Sequence, residues 1–154
     1  MNNLTDNINA LTPNGFKVTI DSKEFANLEF FCTNAQLPTI GSAEVLETYK
    51  GNNAYFPGDV IAYESMTVTF IVDEKMKNYI EMYNWISKNH TAKPLFKDIT
   101  LSILSNKNTT NKQVLFHDAF PTTLGSLSFT TQDTTLDAVT CDVTFRYNKF
   151  EFIK

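Results

Sequence analysis

Glycine and proline are scarce, five of each in 154 residues. That scarcity argues against a disordered or repetitive chain. Histidine and cysteine are rarer still, two of each. Neither His90 nor His117 has a second His, Cys or carboxylate at metal-ligand spacing, and Cys32 and Cys141 do not form a CxxC pair. No metal site and no cofactor is therefore expected. No apolar run approaches the roughly 18 residues of a membrane span, so this subunit is not expected to insert into a membrane. The opening stretch MNNLTDNINALTPNG has neither the basic flank nor the apolar run of a signal peptide. On that reading, the sequons at Asn3, Asn89 and Asn108 are chance matches in an Asn-rich chain. Basic residues are outnumbered, 13 against 17 acidic, for a net charge of −4. That balance points away from a domain that grips phosphates through a basic face.

What the chain does have is a hydrophobic content of 42%, with 13 phenylalanines. A single domain over 1–154 with a substantial core is expected, preceded by a polar arm over 1–14 that ends at the turn Pro13-Asn14-Gly15. The clearest pattern lies near the C-terminus. Val139, Cys141, Val143, Phe145 and Tyr147 alternate with Thr140, Asp142, Thr144, Arg146 and Asn148. Such a period of two makes a strand with one apolar face and one polar, threonine-rich face. A second strand, Glu64 to Val72, repeats the design: Met66, Val68 and Phe70 point one way, Ser65, Thr67 and Thr69 the other.

Further strands are expected at Phe16–Ile20 and Phe25–Thr33, forming a hairpin, at Asp98–Leu104, at Gln113–Phe120 and at Leu127–Phe129, with a turn over Pro121–Ser126. Asp73 is a candidate N-cap for a helix over about 74–89. Its apolar stripe is read as Met76, Tyr79, Ile80, Tyr83 and Ile86, flanked by Met82 and Trp85. Lys75, Lys77, Asn78, Glu81 and Lys88 form its wet side. Asn89 is read as a left-handed C′ residue. Between Ser42 and Asp59 two partly patterned arms flank a turn at Gly51-Asn52-Asn53, which reads as a hairpin or extended loop leaving the body. Its Tyr49, Tyr55 and Phe56 are exposed unless something covers them. The fold class is mainly β: an antiparallel β-sandwich or barrel with one flanking helix and that extension. Cys32 and Cys141 both fall on apolar-facing strand positions. Two buried thiols are expected, with a disulfide open only if their strands are neighbours.

No usable catalytic constellation emerges, so an enzyme is not expected. GxSxG, Walker and GxGxxG motifs are absent. Glu44, Glu47 and Asp59 lie in the extended segment, which does not hold carboxylates firmly enough for acid–base chemistry. His117-Asp118 matches a dipeptide of metal phosphohydrolases, but the further His and Asp partners of that motif are missing.

Three stretches, FKVTI through FFCTNAQLP, YESMTVTFIVDEKMKNYIEMYNWI, and AFPTTLGSLSFTT through VTCDVTFRYNKFEF, together resemble the tail tube proteins of contractile-tailed, myovirus-type bacteriophages, relatives of type VI secretion tube proteins. The shared order is an N-terminal hairpin leading to an A-x-x-L-P turn, a loop, a strand followed by DE and an amphipathic helix, then a P-T-x-x-G turn and a terminal alternating strand. The resemblance implies a structural virion protein, assembled in the host cytoplasm, whose six-fold rings stack into a hollow conduit inside a contractile sheath. Implied partners are other copies of itself and the sheath, baseplate and tape-measure proteins. DNA transits the lumen during ejection without specific binding. Carried onto this chain, the resemblance makes Ser65, Thr67, Thr69, Thr140, Asp142, Thr144 and Arg146 lumen-facing candidates. Arg146 departs from an acidic lumen, and pairs with Asp142 or sits at a subunit seam. Val45, Tyr49, Asn52, Tyr55 and Phe56 become candidates for contacts between subunits or rings. A baseplate tube initiator and a type VI-like injection tube subunit are neighbouring alternatives. A ligand- or carbohydrate-binding β-barrel is the alternative of another class; it needs the Tyr and Phe residues to line a cavity in the isolated monomer.

Overall fold

The computed structural model describes residues 11–20, 32–91, 93–132 and 134–153. Among these are nine strands: β1 (Phe16–Ile20), β2 (Cys32–Ala35), β3 (Ile40–Tyr49), β4 (Asn52–Tyr63), β5 (Met66–Ile71), β6 (Lys97–Leu104), β7 (Thr110–Leu124), β8 (Thr140–Arg146) and β9 (Lys149–Phe152), with one helix, α1 (Lys77–Asn89), between β5 and β6. The pairing is antiparallel throughout. The main sheet runs β1-β6-β7-β8-β5-β2, with β9 also on β7, while β3 and β4 form a separate two-stranded ribbon. The end strands β1 and β2 approach within 8 Å, Cα to Cα, so the sheet curls back on itself as a barrel does. This is the expected mainly β fold with one helix.

The core is built by the alternation in β5 and β8. Val68 lies opposite Val143, Phe70 opposite Cys141 and Met66 opposite Phe145, all buried. Val18, Ile20, Ile99, Val114 and Phe116 close over them from the other half of the sheet. The sheet turns its corner within β7. Asp118 takes a left-handed φ of 53° at an irregularity in the pairing with β6. Its N–H donates to Asp98 Oδ1 at 3.1 Å, and its Oδ2 accepts from Asn148 Nδ2 at 3.0 Å. A bulge with its amide satisfied by a side chain lets one strand serve both halves of the sheet.

Several expectations are corrected. Strand β7 continues through Pro121 to Leu124, where a turn was expected. Pro121 is buried there beside a second pairing irregularity, where a missing N–H is tolerated. Residues 127–129 form no strand; the connection from β7 to β8 is irregular, and Phe129 is exposed in it. The terminal strand divides into β8 and β9, and Val139 precedes it, 37% exposed. Residues 1–10 of the arm, the span 21–31 and any hairpin pairing made there lie outside the described residues. The described part of that second strand, β2, pairs with β5. The turn at 13–14 is present.

Helix α1 is rotated and shortened relative to its sequence reading. It begins after Met76, which is left-handed and makes no side-chain cap bond. Asp73 supplies only a turn, its carbonyl accepting from the Met76 amide. The buried face is Asn78, Met82 and Trp85, an i, i+4, i+7 stripe, while Ile80 and Tyr83 face outward at 48% and 60% exposed. Asn78 belongs inside because it carries the junction with β5. Its Nδ2 donates to the Ile71 carbonyl at 2.7 Å, and its Oδ1 accepts from the Tyr79 amide at 2.9 Å. Trp85 stacks at 5.9 Å on Phe145 and donates Nε1–H to the Leu95 carbonyl. The helix ends at His90 in a right-handed conformation. Asn89 instead accepts the Leu95 amide on its Oδ1.

The cysteines are free. Cys32 and Cys141 both pair with Phe70, from opposite sides of β5. That places them two strand spacings apart, roughly 9.5 Å, beyond the Cα separation of about 7 Å that a disulfide spans. Burial pushes the Cys32 thiol up to about 11 and also raises Cys141. Native protein at pH 8 is expected to react with a thiol-specific disulfide reagent only as fast as it unfolds, and to release two thiols per chain in urea. Asn78→Ala, which strands the Ile71 carbonyl, is expected to cost about 2 kcal/mol in urea denaturation.

Candidate assembly interface

Two surfaces stand out, and the pairing register produces both. The first is a polar wall. Cross-strand partners share a face, so the apolar pairs of β5 and β8 leave Thr67 opposite Thr144 and Thr69 opposite Asp142 on the other side. Thr69 donates its hydroxyl to Asp142 Oδ1 at 2.6 Å. Thr140 stands opposite Ile71, the one apolar interruption in the β5–β8 part of this face. The wall extends to β7 through Thr123, opposite Thr144, and to β2 through Asn34, opposite Thr69. Thr123 and Asn34 had no signal in the sequence: Thr123 was read as part of a turn, and Asn34 as the exit from a strand. Ser65 precedes β5 and is half-buried. Arg146 lies exposed at the far end of β8, opposite Phe120. No ion pair joins it to Asp142 among the described residues, because Asp142 lies four positions back along the same strand and already accepts from Thr69.

The second surface is the β3–β4 ribbon. It is longer than expected, Ile40 to Tyr63 rather than 42–59, and β4 alone spans about 40 Å. Every residue of β3 is exposed, as is nearly all of β4. Val45 pairs with Phe56 and Leu46 with Tyr55, so each cross-strand pair presents apolar groups on its own face. Tyr49, opposite Asn52, is 72% exposed. The turn is Lys50-Gly51, both at positive φ (48° and 82°), rather than Gly51-Asn52-Asn53. Two consecutive left-handed residues match the right-handed twist of the arms. Near the base, a bulge between Ser42 and Glu44 brings Ala43 against Gly58, where a Cβ would sit 2.6 Å from the Ala43 carbonyl oxygen. A two-stranded ribbon open on both faces is at best marginally stable in water. Its exposed apolar groups are the mark of an interaction surface.

The ribbon is anchored at its base by aromatic packing. Tyr63, the last residue of β4, meets Tyr147 at 6.1 Å and Phe150 at 5.4 Å, and Phe116 meets Tyr147 at 4.9 Å. The Tyr147 hydroxyl donates to the Glu64 carbonyl at 2.6 Å. Burial pushes that phenol up to about 12, with the neighbouring Arg146 charge opposing the shift. His117, in the bend of β7, bonds Glu151 of β9 at 2.8 Å and holds that carboxyl below its usual range.

These surfaces are built for contact rather than for reaction. Among the described residues, no group of three or more His, Cys, Asp or Glu is placed to hold a metal, and no helix is long and apolar enough to cross a membrane. Tyr49, Tyr55 and Phe56 lie on the open ribbon, which removes the basis for a ligand cavity lined by them.

Because the folded-state value of Tyr147 lies above the ordinary phenol value near 10, its stabilising contribution is complete below about pH 10. It is lost as pH rises through about 12. In a titration of tyrosinate absorbance, Tyr147→Phe is expected to remove the last-ionising component.

Comparison with known proteins gives a consistent set of relatives. The family model described as phage tail tube protein matches residues 3–113. The tail tube terminator protein of Enterobacteria phage T4 is 30% identical over 139 residues, covering 80% of this chain and 79% of that protein. Two solved structures share the fold over nearly the full length of both chains. The tube terminating cap of the anti-feeding prophage has a TM-score of 0.72 at 23% identity, covering 99% of this chain and 98% of that one. The sheath/tube terminator of the extracellular contractile injection system PVC, in its extended state, has a TM-score of 0.75 at 19% identity, covering 95% and 98%.

Proposed function

We propose a role that starts from one fact: the chain belongs to the phage tail tube protein family. Within that family of structural tail components, we assign it to the end of the tube. Six copies form a ring that seats on the last tube ring of a contractile tail and terminates it. The observation that carries this choice is the 30% identity to a tail tube terminator over most of both chains. The same relatives support a non-enzymatic part of the virion that works beside tube and sheath.

The geometry fits a ring subunit. The polar wall of Thr67, Thr69, Asp142 and Thr144 lines the channel, presenting hydroxyl and acidic groups that do not hold a polyanion in transit. The ribbon leaves at the Met66–Arg146 end of β5 and β8. The 125–139 connection, with Phe129 at 75% and Leu136 at 104% exposed, leaves at the Ile71–Thr140 end. The two ends of the channel wall therefore carry unlike apolar features, as a ring with a different neighbour on each side requires. Closing the ring pairs the free strand edges and covers the ribbon.

A stacking tube subunit is the second reading, favoured by the description of the family model itself. Electron microscopy of negatively stained purified protein separates the two. The terminator reading expects single six-fold rings that do not elongate at high concentration. Long tubes would sink it in favour of the tube subunit, and monomers at all concentrations would sink both.

A further inference from the structure

The ribbon supplies half of a contact, and the same chain carries a surface that fits the other half. Between the end of α1, the segment leading into β6 and the bend of β7 lies an open groove of about 390 Å³. Its apolar lining is Ile86, Pro94, Phe96 and Phe120. Phe96 is 48% exposed and packs edge-on against Phe120 at 5.6 Å. The volume suits one or two aromatic side chains of the kind the ribbon displays in Tyr55 and Phe56.

Charge and position narrow the occupant. From Ile86 to Lys97 the chain carries Lys88, Lys93 and Lys97 and no carboxylate, whereas the ribbon, 40–63, carries Glu44, Glu47 and Asp59 against a single lysine, Lys50. An acidic apolar ribbon thus faces a basic apolar groove. Phe120 lies opposite Arg146, and the base of the ribbon packs through Tyr63 on the next residue, Tyr147. Groove and ribbon base therefore sit at the same end of β8. A ribbon leaning sideways reaches the groove of a neighbour at its own level, without the vertical step that a contact between stacked rings needs. The two halves are different surfaces of one chain, so the contact is head-to-tail and closes only as a ring.

We infer that the groove formed by Ile86, Pro94, Phe96 and Phe120 receives the β3–β4 ribbon of a second copy in the same ring. This rests on the ring reading above and adds the receiving site, its chemistry and the level at which the contact is made.

The test uses complementary defects in the full-length chain. Phe96→Glu puts a carboxylate in the groove, and Phe56→Glu puts one on the ribbon. Each variant alone is expected to sediment as a monomer with an unchanged circular dichroism spectrum, its association weakened about 30-fold or more. An equimolar mixture is expected to form one-to-one dimers and no rings, because only one intact ribbon–groove contact remains. Should Phe96→Glu fail to fold, Lys93→Glu on the exposed turn replaces it. Rings from both wild type and folded groove variant would overturn the groove assignment and leave the ring reading standing. So would a mixture that stays monomeric, or a groove variant that keeps its rings and loses only binding to another tail protein. Wild-type protein that never forms rings would overturn both.

Discussion

The register between β5 and β8 is the constraint on which the rest depends. Val68 faces Val143 and Phe70 faces Cys141, and these four side chains are almost fully buried. With side chains alternating strictly, that choice commits Thr67, Thr69, Asp142 and Thr144 to the opposite surface. A slip of one residue would exchange the two faces, burying hydroxyls and a carboxylate while exposing Phe70 and Phe145, at a cost no small domain sustains. Core and polar wall are thus one decision. The same sheet sets the positions of α1, through Trp85 on Phe145, and of the ribbon, through Tyr63 on Tyr147.

The molecule divides its work between a satisfied body and an unsatisfied extension. In the body, polar groups at awkward places find partners: Asn78 caps the junction before α1, and Asp98 and Asn148 hold the bend at Asp118. The ribbon has no comparable support. Its own strands pair, but its faces are bare, and 40–63 leaves Val45, Leu46, Tyr49, Tyr55, Phe56, Val60 and Ile61 largely in solvent. An element like this is incomplete in one chain and completed by an assembly. That is the expected economy of a ring subunit, in which closure covers surfaces and edges that a monomer would have to protect by other means.

Legibility in the sequence followed the strength of the local pattern. The alternations in β5 and β8 were readable residue by residue because a period of two over several positions has one simple solution. The ribbon was readable because its arms were aromatic yet poorly patterned. The helix was placed correctly, but its buried face was misjudged. Hydrophobicity favoured Ile80 and Tyr83, whereas the fold buried Asn78, whose hydrogen bonds to Ile71 and Tyr79 are made across a turn that no periodicity reveals. The long course of β7 was missed because Pro121 is a turn signal in most contexts, and its tolerance beside a bulge is a tertiary fact. The groove was invisible for a similar reason: Ile86, Phe96 and Phe120 come from three segments.

By itself, then, the sequence determined the two unlike faces of the sheet, the presence of one helix and one extension, and a chemistry suited to contact rather than catalysis. Those are consequences of side-chain order along a strand, and order is all a sequence contains. The tertiary structure alone decided which face of the helix is buried, that Phe70 stands between the two cysteines, and that Thr123 and Asn34 join the wall. It also decided that a basic apolar groove lies level with the base of an acidic apolar ribbon. Each of these depends on which strands become neighbours, and that is fixed by the packing of the whole core and not by any segment within it.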